Sequence, residues 1–207
     1  MLLSDLGLDR RDKSQLLLRK RGRGESGPPK LGHLTASVYL RFGFIDHNSF
    51  ESYYRFSVVR NPFDRLRSAY NYLGFRELIT FSCFVEKVVV EALKNRNSLH
   101  WFLRPQTDFQ LDAEGVLLVN QYFKLEEMSV SIDQIIERSR LSVSELPHSN
   151  NSSAISGVSR FMRALKLLLK ENISLNEVLT KNEPGCDIKL RARIELLYSK
   201  DYEQFGY

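Results

Sequence analysis

Phe56-Ser57-Val58-Val59 is a compact β-favouring run, and Asn61-Pro62 stops it one residue later. Asparagine is a preferred helix N-cap, and proline fits the first helical position, where its missing N–H costs nothing. The residues that follow, Asp64, Arg65, Leu66, Ser68, Ala69 and Tyr70, continue as a helix towards Gly74. The segment is therefore a strand-turn-helix, which commits the chain to layering helices on a sheet.

The rest of the chain agrees with that class. Thr35 to Phe44 reads as an amphipathic helix ended by Gly43, followed by a polar loop over Asp46 to Ser52. A second helix is expected from Thr80 to about Lys94, and a second strand over Val116 to Phe123 after the turn Asp112 to Gly115. Glu126 to Arg138 reads as helix, Pro147 to Ser153 as a polar loop, and Ser159 to Leu179 as a helix interrupted near Asn172 to Ser174. A last helix runs from Asp187 to about Glu203. Strands alternating with helices predict an α/β fold with a parallel sheet. Two strands are few for such a sheet, so part of the expected architecture is missing.

At 207 residues the chain suits one main domain able to bury its own core. The segment 1–30 is set apart as basic and linker-like, because R-G-R-G-E-S-G-P-P (Arg21 to Pro29) breaks any regular element, leaving 31–207 as the domain. Met1 to Lys30 holds eight basic and four acidic side chains, so four of the five net positive charges lie there. That surplus fits a solvated tail, a flap over an anionic ligand or a contact for an acidic polymer. The tail is the reading kept, and nucleic acid is not an expected partner. No apolar run approaches the roughly 20 residues of a membrane span, and neither anchor nor signal peptide is expected. Cys83 and Cys186 form no C-x-x-C unit, so no metal site is expected. Cys83, among Phe81, Phe84 and Val85, reads as a buried structural thiol.

Arg60 stands where the strand ends, and Ser68 lies eight positions further, two turns into the helix. Ligands of open α/β sheets bind at such strand ends. A guanidinium, a hydroxyl and the N–H groups of a helix start suit a phosphate monoester. The alternative is an arginine tied to a loop carbonyl and a serine on a helix face, and the residues alone leave both open.

The whole stretch F-S-V-V-R-N-P-F-D-R-L-R-S-A-Y (Phe56 to Tyr70) closely resembles the 3′-phosphate-binding segment of sulfotransferases that act on carbohydrates with 3′-phosphoadenosine 5′-phosphosulfate (PAPS). Four further segments resemble bacterial-type members in the same order. They are G-H-L-T-A (Gly32 to Ala36), R-P-Q-T-D-F (Arg104 to Phe109), L-P-H-S-N-N-S (Leu146 to Ser152) and the terminal Y-x-x-D-Y-E-Q-F-G-Y (Tyr198 to Tyr207). The resemblance implies a P-loop-like α/β fold in which Arg60 and Ser68 hold the 3′-phosphate of PAPS. His33 aligns with the catalytic histidine of heparan sulfate 2-O-sulfotransferase relatives. It is read as the base that takes the acceptor proton, or else as a histidine packed against the next helix. Glu126 is an alternative base or a surface glutamate. Arg104 and Gln106 are read as facing an anionic carbohydrate acceptor, or as loop packing. His148, Asn151 and Ser152 resemble the loop that closes over the nucleotide, or form an Asx-rich turn.

One family feature is not found. Members begin with an apolar strand and a P-K-x-G-(G/T)-T-S loop holding the 5′-phosphosulfate, whereas the string Pro28 to Ser37 follows a Gly-rich stretch that is no buried strand. The expectation is a PAPS-dependent sulfotransferase lacking its first strand and impaired by that loss, as a fragment or a natural variant. The alternative is a non-catalytic module binding 3′-phosphoadenosine nucleotide or glycan. A bacterial member would be cytoplasmic, and animal relatives are Golgi membrane proteins.

Overall fold

Whether Phe56–Val59 pairs, and with what, decides the layering. The computed structural model describes residues 17, 19–27, 31–32, 34–139, 156–174, 178 and 187–207. In chain order the elements are α1 (Ala36–Arg41), α2 (His47–Ser52), β1 (Phe56–Val59), α3 (Pro62–Leu73) and α4 (Phe81–Cys83). A π-helical stretch (Phe84–Val89) carries α4 into α5 (Val90–Asn95), followed by α6 (His100–Leu103) and β2 (Gln121–Lys124). Then come α7 (Met128–Ser139), α8 (Gly157–Lys170), α9 (Asp187–Leu197) and α10 (Ser199–Phe205). The chain divides into two compact units, Met1–Val59 with Gln106–Ser149, and Arg60–Pro105 with Asn150–Tyr207.

The first unit holds the sheet. β1 and β2 pair in parallel, from Phe56 opposite Gln121 to Val59 opposite Lys124. Val59 and Phe123 are buried, and the Phe56 and Phe123 rings meet edge to face with centroids 6.1 Å apart. The fold is mixed α/β, with a small parallel sheet of two strands among the described residues. β2 begins later than the expected Val116. Asp112 Oδ1 accepts from the N–H groups of Glu114 and Val116 at 3.0 and 2.7 Å, and Leu111 bridges Leu117 antiparallel. This turn leaves Val116 and Leu117 exposed, so an apolar pair that resembled the start of a strand belongs to a bend.

Asp46 to Ser52, expected as a loop, contains α2. Asp46 caps it by accepting from the Ser49 N–H at 2.9 Å and from the Ser49 hydroxyl at 2.6 Å. Phe50 is its one buried residue, under the Arg55 guanidinium 4.3 Å above the ring. A single apolar side chain gives no periodicity, so only the cap signalled this helix. The Gly-rich stretch expected as linker carries a turn in which Arg19 donates twice to Glu25, each at 2.6 Å. Leu31 beyond it is fully buried.

The second unit is helical. Thr80 caps α4, and the expected helix to about Lys94 is present with a π-helical middle. Bonding from residue i to i+5 widens the turn there, and Phe84, Val85, Val88 and Val89 are all fully buried. Their cluster takes in Phe63 and Leu66 of α3, Leu103 of α6, Leu168 of α8 and Ile194 of α9. α8 stops at Lys170, and Asn172 turns the chain at φ 53°, within the interruption the sequence placed near Asn172 to Ser174. The last helix divides at Tyr198, giving α9 and α10. Cys83 is buried, its thiol donates to the Val178 carbonyl at 3.3 Å, and burial raises its pKa, as suits a structural thiol.

Three successive carbonyls at the end of α6 are held from outside the helix. Arg65 of α3 donates Nη1 to the Arg104 carbonyl and Nη2 to the Phe102 carbonyl, both at 2.8 Å. The Tyr198 hydroxyl donates to the Leu103 carbonyl at 2.5 Å. A helix C-terminus leaves such carbonyls unpaired and favours a cation beside them. Tyr198→Phe is expected to cost about 1–3 kcal/mol, the penalty of a buried carbonyl left without its donor, read by urea unfolding. Burial raises the Tyr198 pKa above its ordinary 10.0. The neutral phenol is thus present in both states below pH 10, and stability falls as pH rises past 10, where only the unfolded tyrosine ionises. Tyr198→Phe should remove that part of the alkaline loss.

Candidate phosphate-binding site and family

The site begins with the local chemistry of α3. Asn61 Oδ1 accepts from the Phe63 N–H at 3.0 Å, and Pro62 occupies the first turn, as the sequence predicts. Pro62, Phe63, Leu66, Ala69 and Leu73 are buried, which fixes the rotation of the helix about its axis. Asp64 and Ser68, four residues apart, share the exposed face. Ser68 lies about 9 Å along the axis from Pro62 at 1.5 Å per residue. Its hydroxyl has no hydrogen-bond partner among the described residues. Helical serines often bond back to a preceding carbonyl, as Ser131 does to Glu127 at 3.0 Å. Ser68 retains its donor and acceptor for something else. Arg60, half-buried, is the first residue after β1, directly ahead of the Asn61 cap.

The other predicted residues divide. Arg104 is half-buried at the C-terminus of α6, where its carbonyl serves Arg65. Gln106 is 8% exposed at the head of the turn Thr107–Phe109 in the first unit, with its carbonyl accepting from the Phe109 N–H at 3.0 Å. Glu126 is exposed in the turn Leu125–Glu127 after β2. His33, His148, Asn151 and Ser152 lie outside the described residues.

Sequence reasoning gave no role to several buried polar groups. Thr107 and Gln110 are 1% and 2% exposed in the R-P-Q-T-D-F region. Asp201 is fully buried, and the charges of Asp201 and Arg65 both act on the Tyr198 hydroxyl. The sequence signal for these last is the terminal Y-x-x-D-Y segment, whose tyrosine and aspartate belong to the packing of the second unit. Among the described residues no three His, Cys, Asp or Glu side chains could share a metal ion. No helix among them is long and apolar enough to cross a membrane.

The family model described as Sulfotransferase family matches residues 37–207, which include β1, Arg60, α3 and Ser68. The chain belongs to the sulfotransferase family. Its family reaction is transfer of a sulfuryl group. Comparisons with curated proteins and with solved structures give no match.

Proposed function

We propose that this protein transfers a sulfuryl group from PAPS to a hydroxyl of a carbohydrate acceptor, with Arg60 and Ser68 holding the 3′-phosphate of the donor. The observation that carries the reading is the Ser68 hydroxyl, exposed and without a described partner, on the helix that Arg60 introduces, in a chain of the sulfotransferase family. A phosphate monoester accepts from several donors at once. A planar guanidinium, a serine hydroxyl and a helix start suit that geometry, so the residues present fit the donor nucleotide.

In the transfer, the acceptor oxygen attacks sulfur while the sulfur–oxygen bond to the 5′-phosphate breaks. Adenosine 3′,5′-bisphosphate leaves, and the acceptor proton goes to a base. His33 is the base proposed, because an imidazole is neutral and basic near pH 7. Arg104 and Gln106 are proposed on the acceptor side, where a guanidinium pairs with the carboxylate or sulfate of an anionic glycan. His148, Asn151 and Ser152 are proposed to close over the nucleotide.

The reading is tested by calorimetric titration with adenosine 3′,5′-bisphosphate and by transfer of labelled sulfate from PAPS to a panel of glycans. Ser68→Ala is expected to weaken bisphosphate binding about 2- to 12-fold, the worth of one neutral hydrogen bond. A folded protein that binds no bisphosphate would end the proposal.

A further inference from the structure

Two guanidinium groups outside the proposed donor site meet on one aromatic ring. Arg67 of α3 has its Cζ 5.4 Å from the Phe63 ring centroid and 5.2 Å from that of Phe81. Arg191 of α9 has its Cζ 4.1 Å from the same Phe63 centroid. Phe63 and Phe81 pack edge to face at 5.5 Å, and Phe63 is buried beneath two exposed arginines. Tertiary packing alone joins these charges, because α3 and α9 are far apart in the chain.

Some other arginines in this unit have carboxylate partners. Arg193, two residues beyond Arg191, meets Glu86 at 3.2 Å, and Arg160 meets Glu77 at 3.8 Å. Among the described residues neither Arg67 nor Arg191 forms an ion pair or hydrogen bond. The acidic neighbours Asp64 and Glu195, whose fields reach the Tyr202 hydroxyl as that of Arg191 does, form no ion pair with either. A guanidinium stacked on a ring uses its face and keeps its in-plane N–H donors for a ligand. Two cations gathered at one ring repel each other, and an anion beside both relieves that repulsion while accepting from both.

We propose that Arg67 and Arg191 form a binding site for a ligand carrying clustered oxyanions, whether sulfate, phosphate or carboxylate, and that this site is distinct from Arg60 and Ser68. The inference does not depend on the donor reading. Its source of oxyanions is either a sulfated sugar chain or a nucleotide phosphate.

The test titrates the full chain with a sulfated hexasaccharide, its desulfated counterpart and adenosine 3′,5′-bisphosphate, each at low and high salt. Arg67→Gln with Arg191→Gln is expected to weaken one anionic ligand about tenfold or more, through loss of charge-assisted hydrogen bonds, and to flatten its salt dependence. Loss confined to the hexasaccharide assigns the site to a sulfated chain, and loss confined to the bisphosphate assigns it to a nucleotide phosphate other than the 3′-phosphate proposed at Arg60 and Ser68. Arg41→Gln, which removes a lone arginine 5.4 Å over Phe42, serves as control and is expected to change neither. Unchanged binding of both anions in the double variant overturns the proposal, as does a wild type that binds neither. Should the glutamine pair fold poorly, Arg67→Lys with Arg191→Lys keeps both charges without the planar fork. That variant is expected to lose about threefold by the lesser fit of an ammonium, and wild-type affinity there overturns the proposal equally.

Discussion

Alanine at position 74 is expected to destabilise the protein by about 2–5 kcal/mol. Gly74 ends α3 at φ 88°, a left-handed conformation that costs a residue with a Cβ about 1–2 kcal/mol. A Cβ there would also lie 2.1 Å from the Arg160 carbonyl oxygen, which is helix backbone and has no rotamer to change. Forcing α8 away from α3 adds about 1–3 kcal/mol of overpacking. At about 2–4 °C per kcal/mol for a chain of this size, the melting temperature should fall by roughly 4–20 °C. Gly206 ends α10 at φ 63°, and a Cβ on it would meet nothing within 4 Å, so this position isolates the backbone cost. Gly206→Ala should lose only the smaller, conformational part. Equal losses at the two positions, measured by thermal unfolding, would refute the close approach of α8 to α3.

The second large effect concerns function. Arg60→Ala is expected to weaken binding of adenosine 3′,5′-bisphosphate by about 1.5–3 kcal/mol, or about 10- to 150-fold, because a charged donor to a phosphate oxygen is lost. Arg60→Lys keeps the charge but not the planar fork, and should recover only part of the loss. The comparison with Ser68→Ala is informative in the same titration. If both residues hold one phosphate, the double variant should lose less than the sum of the two single losses, since partners in one network couple. Strictly additive losses would place the two side chains on separate partners.

The strand-turn-helix was legible because each signal in it is local. A β-favouring run, an asparagine cap and a proline at the first helical position act within a few residues, and β1, the Asn61 cap and α3 all follow them. Thr80 and the long apolar run behind it likewise announced the helix that begins at α4. Where the reading failed, the deciding bonds were specific. Asp46 turned a polar loop into α2 through two hydrogen bonds to Ser49, and Asp112 folded Val116 and Leu117 into a turn. An aspartate that caps and one that is merely solvated look alike in sequence, and the difference lies in which N–H comes within reach.

The sequence by itself determined the class of this protein: a mixed α/β chain of the sulfotransferase family, with Arg60 at the end of a strand and Ser68 two turns into the helix that follows. Periodicity and capping act along the chain, so they can be read along it. Only tertiary structure decided that Arg65 and Tyr198 hold the carbonyls at the end of α6, that Gly74 lies against Arg160, and that Arg67 and Arg191 share the ring of Phe63. Those contacts join residues far apart in sequence, and they form only after burial of the common apolar core has fixed where each helix lies and which face it turns inward.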